Sequence, residues 1–115
     1  MKRILCLSII LLIQTGSLLA APLLINYSGM VSVDAQPFTG TGLFKFAILK
    51  ADNNETLWSN DGTSVNGSQP SASVDIPVNA GLYSILLGNS AIDGMIGLDP
   101  NLFTQNNDTR LRIWF

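Results

Sequence analysis

Eight carboxylates, one cysteine and no histidine set the limits of the chemistry open to this 115-residue chain. Without histidine, Ser-His-Asp catalysis and imidazole metal sites are excluded. A pair of carboxylates working as acid and base is the hydrolytic arrangement that remains, and it would draw on Asp34, Asp52, Glu55, Asp61, Asp75, Asp93, Asp99 and Asp108. Most of these stand beside Gly, Asn or Pro, where short polar side chains imitate backbone hydrogen bonds and build turns. Turn formation accounts for them better than catalysis does. Asp52-Asn53-Asn54-Glu55 gathers oxygen ligands of the kind calcium takes, yet it lacks the ligand spacing of a calcium loop and reads as a hairpin turn. Gly40-Thr41-Gly42 starts like a dinucleotide-binding turn, but Lys45 stands where the third glycine belongs and a strand pattern follows. No catalytic residue, metal or cofactor is expected, and the chain reads as a non-enzyme.

Binding is better supplied. Trp58 and Trp114, with Tyr27 and Tyr83, could offer aromatic faces to a sugar ring, although aromatics in a small β-fold mostly pack the core or its rim. Trp114 stands apart because strand alternation puts it on one face with Arg110 and Arg112. It is then either stacked by arginine or covered by another strand. Trp58, Trp114, Arg110 and Arg112 form the candidate binding surface.

These residues need elements to hold them, and the chain starts with a segment that does not belong to the fold. Met1-Lys2-Arg3 precedes an apolar run, Ile4 to Ile13, and the small residues of Leu18-Leu19-Ala20-Ala21 follow, which is the layout of a secretory signal peptide. The run breaks at Gln14, well short of the ~20 apolar residues that span a bilayer. Residues 1–20 are expected to be removed on export, with cleavage after Ala20. Cys6 leaves with them, so residues 21–115 contain no thiol and can form no disulfide. Lys2 and Arg3 leave too, and the remaining 4 cations against 8 acids (4 − 8 = −4) argue against a nucleic-acid partner. The membrane enters only during export, and the product is expected to be secreted or at the surface of a bacterial cell.

Beyond residue 21 the dominant signal is period-two alternation. Ile25, Tyr27, Gly29, Val31 and Val33 share one face of a first strand, and Phe44, Phe46 and Ile48 oppose Lys45 within Gly42–Lys50. Thr56–Ser59 then pairs back across the Asp52–Glu55 turn, making residues 42–59 a hairpin. Residues 60–71 form a polar loop with tight turns at Asp61-Gly62 and Asn66-Gly67, with room for a small two-stranded flap. Val74, Ile76 and Val78 alternate with Ser73, Asp75 and Pro77, and Pro77 belongs at an edge or a strand end. Leu82–Leu87 is apolar on nearly both faces, which predicts a central strand. One helical turn fits around Pro100–Phe103. In the last strand Leu111, Ile113 and Phe115 oppose Arg110, Arg112 and Trp114. The fold class is all-β: an antiparallel β-sandwich or open barrel of five to seven short strands, one domain over residues 21–115, preceded by the signal-peptide helix.

Tyr27-Ser-Gly29, Gly42-Leu-Phe-Lys-Phe46, Leu57-Trp58, the segment Val78 to Gly88 containing Gly81-Leu-Tyr-Ser84, Leu102-Phe103 and Leu111-Arg-Ile-Trp114 follow one another in an order that resembles a known module. It is the N-terminal β-sandwich-like module of large secreted bacterial surface proteins, and the resemblance covers residues 25–115. It implies a structural role without catalytic residues, and a longer remainder after the last strand. The apolar strand at the terminus accordingly predicts a domain truncated at its C-terminus. The expected partners are downstream domains of the same chain, a second copy, or another surface protein, each engaged through the terminal strand. A small secreted domain that binds glycan or protein is the second reading, and a fragment of a carboxylate hydrolase the third.

Overall fold

The computed structural model describes residues 22–115; the expected signal peptide and its cleavage after Ala20 lie outside the described residues. The fold is all-β and built around one long strand. Among the described residues there are eight strands, β1 (Ile25–Met30), β2 (Ser32–Val33), β3 (Gln36–Pro37), β4 (Gly40–Lys50), β5 (Thr56–Ser59), β6 (Val74–Val78), β7 (Leu82–Leu87) and β8 (Thr109–Trp114), and one helical turn, α1 (Leu102–Gln105). Six of them have four or more residues, within the expected five to seven; β2 and β3 add a two-residue ribbon.

β4 is the centre. It pairs antiparallel with β6 through Gly40–Phe44, with β5 through Ala47–Leu49 and with β8 through Lys45–Lys50. β5 and β8 overlap on the same stretch of β4, so they occupy opposite edges. Alternation along β4 decides the layers: Phe44, Phe46 and Ile48 point inward and are buried, while Leu43 and Lys45 point outward. The expected 42–59 hairpin is present, with a register irregularity between Ile48 and Leu49.

The second layer is the antiparallel pair β1–β7, in register from Ile25↔Leu87 to Met30↔Leu82. The chain reaches it from β6 through Asn79-Ala80-Gly81, where Ala80 and Gly81 both have positive φ and Asn79 and Leu82 exchange main-chain hydrogen bonds. That geometry is a tight hairpin turn whose twist suits the flanking strands. Tyr83 then drops onto Phe44, ring centroids 4.4 Å apart, and joins the layers.

Three expectations need correction. β7 is not central: it pairs only with β1 among the described residues, and its outward Leu82 and Leu86 are 57% and 40% exposed. Apolar residues on both faces meant exposed leucines here, not two covered faces. The first strand also ends early, because Asp34 and Ala35 adopt positive φ and fold Val33 back as the β2–β3 ribbon. Residues 60–71 carry no strand, so the two-stranded flap is absent from that loop.

Neither layer closes on itself. Among the described residues β1 pairs only with β7 and β8 only with β4, so each keeps one edge without a strand partner. Between them lies a narrow apolar cleft of about 110 Å³, lined by residues that include Ile25, Tyr27, Leu87, Leu111 and Phe103 of α1.

Candidate functional site

The four candidate residues part company in the fold. Trp58 sits on β5 at 6% exposure, with its indole N–H donated to the Gly97 carbonyl at 3.1 Å. It is a core residue with a satisfied polar edge, and it belongs to no surface. Arg110, Arg112 and Trp114 do share the outer face of β8, as alternation required. Their direct partners on β4 are Leu49, Ala47 and Lys45.

The loop 60–71 covers part of this face. Arg112 donates through Nη1 to the Gly67 carbonyl at 2.9 Å, and Arg110 through Nη2 to the Ala51 carbonyl at 3.0 Å. Gly67 has φ +77, and a Cβ there would stand 3.1 Å from the Asn54 carbonyl oxygen and 3.0 Å from Arg112 Nη1, so glycine lets the loop lie flat over Leu49. The covered stretch explains why Ala47 and Leu49 are buried although they point away from the core.

Where the loop ends, a groove begins. It measures about 550 Å³ and is lined by Leu43, Lys45, Gln69, Ser71, Ser73, Trp114 and Phe115. Lys45 and Trp114 are half-buried and stand opposite one another on β4 and β8. Ser73 continues the same face from the β6 side, and Asp75 lies across from Leu43. The groove therefore combines an indole, a cation, a primary amide and two hydroxyls, and Asp75 lies outside its lining.

Its loop wall is held in place by hydrogen bonds. The Asp61 carboxylate accepts from the Thr63 amide at 3.0 Å, the Thr63 hydroxyl at 2.7 Å and the Ala72 amide at 2.7 Å. The Thr63 hydroxyl in turn accepts from the Ser71 amide at 2.9 Å. Burial alone would raise the Asp61 carboxyl, but the bonds from Thr63 and Ala72 outweigh it and hold its pKa below the ordinary value. Thr56 Oγ1 accepts from the Gly67 amide at 2.8 Å, which ties the far end of the loop to β5.

One residue that sequence reasoning treated as loop is a structural key. Asn60 is fully buried; its Oδ1 accepts from the Phe46 amide at 2.9 Å and its Nδ2 donates to the carbonyls of Ala72 and Gly94. It thereby fills the step where β5 ends and β6 takes over along the same edge of β4. The one available sign was its place at the end of an apolar strand, which Asn shares with ordinary turn positions.

The Phe46–Asn60 bonds also fix how β8 faces solvent. Phe46 directs both its N–H and its C=O toward Asn60, away from β8. Phe46↔Ile113 is therefore a non-hydrogen-bonded pair of the antiparallel ladder, and the main-chain groups of Ile113 point to the open margin. The same alternation turns those of Leu111 outward.

The acids do not assemble. Among the described residues no three His, Cys, Asp or Glu side chains cluster in a way that could hold a metal ion. Asp61 and Asp99 serve local turns, Asp99 accepting from the Asn101 amide at 2.9 Å. Asp52 and Asp108 share a polar hollow with Lys50, Gln105, Asn106 and Asn107, and both are exposed.

Residues 26–115 match the family described as a domain of unknown function, DUF8740, and the chain belongs to that family. No curated protein and no solved structure matches the chain.

Proposed function

We propose that this DUF8740 domain is an exported, non-enzymatic β-domain that serves as the leading attachment or assembly module of a larger secreted or cell-surface protein, engaging its partner by main-chain pairing along β8. The observation that carries the reading is the outward edge of that strand. Among the described residues no strand pairs with the outward N–H and C=O groups of Ile113 and Leu111, and an edge of this kind is a template for an added strand. The basic start, apolar run and small residues before Ala21 support export. The resemblance to the N-terminal module of secreted bacterial surface proteins supports a place at the head of a longer assembly.

The test separates the outward edge from the inward one. Ile113→Pro removes a donor that β4 does not use, so the fold survives while assembly on the producing cell is lost. Arg112→Pro removes a donor facing β4 and lowers stability instead. Amide exchange at Ile113 is expected to be fast in the isolated chain and slow in the native assembly; fast exchange in both would remove strand pairing as the function.

A further inference from the structure

We propose that the groove beside Trp114 is a binding site for an acidic saccharide, a sugar ring that carries a carboxylate. This goes beyond the strand-pairing reading: it uses side chains on the outer face of β8 where strand pairing uses the main-chain edge. Either can therefore fail without the other.

Charge placement is the first argument. Residues 22–115 carry a net negative charge, yet Lys45, Arg110 and Arg112, three of the four cations in that span, lie on the same outer face as Trp114. Arg110 and Arg112 each spend one N–H group on a main-chain carbonyl, and a guanidinium has five to donate. A carboxylate arriving along β8 meets this cationic strip, whereas the rest of the domain repels it.

The second argument is the lining. At about 550 Å³ the groove falls within the size of ordinary ligand sites. Trp114 supplies an apolar plane for the C–H face of a pyranose, and Phe115 and Leu43 extend that wall. Gln69, Ser71 and Ser73 supply donors and acceptors for ring hydroxyls, and Asp75 beyond Leu43 can accept from a further hydroxyl. An apolar plane edged by hydroxyl-seeking groups, with Lys45 as the cation in its lining, orients a uronate: its carboxylate toward Lys45, its hydroxyls toward Ser71 and Ser73. The loop wall is already ordered by Asp61 and Thr63, so binding costs little further ordering.

The experiment titrates the purified protein with trigalacturonate, with neutral maltotriose and with sodium sulfate, following tryptophan fluorescence and calorimetric heat. Trp58 is buried and bonded to Gly97, so a change in emission reports Trp114. Saturable binding of trigalacturonate that weakens with salt, with maltotriose and sulfate at least about tenfold weaker, is the expected result. Lys45→Gln is expected to lower affinity several-fold and flatten the salt dependence; Trp114→Phe is expected to abolish the fluorescence response and weaken the heat signal. Equal binding of maltotriose would overturn the acidic specificity. Equal binding of sulfate would reduce the site to an anion contact and overturn the saccharide. No heat with any of the three, from protein that melts cooperatively, would overturn the proposal outright.

Discussion

Asn60 grips Phe46 from both ends of one residue: its side-chain Oδ1 accepts the Phe46 amide at 2.9 Å, and its main-chain N–H donates to the Phe46 carbonyl at 3.0 Å. The side chain thus stands in for a missing strand residue at the one place where β4 changes partners from β5 to β6. Asn60→Ala strands the Phe46 amide and the carbonyls of Ala72 and Gly94 in a buried setting. A loss of roughly 2–4 kcal/mol is expected in urea unfolding, because each stranded group carries its own desolvation penalty. Asn60→Asp should cost a similar amount, since a carboxylate cannot donate to two carbonyls.

Gly29 is demanded by Tyr83. The two are direct partners on β1 and β7, and a Cβ on Gly29 would meet Tyr83 Oη at 2.6 Å and Cζ at 2.8 Å. Gly29→Ala must push the ring off Phe44, at roughly 1–3 kcal/mol. In a Tyr83→Leu background the same change should cost clearly less, and equal costs in the two backgrounds would show that the ring is not what excludes the methyl.

Acid should loosen the loop wall through Asp61. Its folded pKa is held below the ordinary carboxyl value, so its contribution to stability is present above that value and is lost as pH falls through the folded pKa. Asp61→Asn is expected to destabilise the domain at pH 7 and to make little difference near pH 2, measured by thermal melts at both.

Alkali should act at Tyr83. Burial, followed by the charge and hydrogen bonding of Tyr27, pushes its pKa up to about 12 from 10.0. The folded state then holds the phenol proton more tightly than the unfolded chain. Stability is complete below pH 10 and falls between 10 and about 12. Tyr83→Phe should flatten that part of the pH profile, and an unchanged profile would assign the alkaline loss elsewhere.

Export makes a covalent prediction. Protein recovered from outside the cytoplasm of a bacterial host is expected to begin at Ala21, read by intact mass, and Ala20→Arg should leave the apolar run attached.

Much of this fold is legible in alternation. Alternation puts Phe44, Phe46 and Ile48 on one face, which is buried, and Leu111, Ile113 and Phe115 on the side of the last strand opposite Arg110; Leu111 and Ile113 pack against the core, whereas Phe115 touches Phe44 at 5.0 Å between ring centroids but is 52% exposed. Trp58 shows where the signal fails. Its residue type says aromatic platform or core equally well, and what buries it is the distant Gly97 segment, 39 residues on.

By itself, then, the sequence determined the all-β class, the inward and outward faces of its longer strands and the turns at Asp61-Gly62, Asn66-Gly67 and Asn79-Ala80-Gly81, because side-chain alternation and turn chemistry act over a few residues. Only the tertiary structure decided that β4 and not β7 is central, that Asn60 joins three segments, and that Lys45 meets Trp114 beneath the edge of a loop. Those relations depend on pairing between segments tens of residues apart, and strand register between such segments is set by the packing of the whole core.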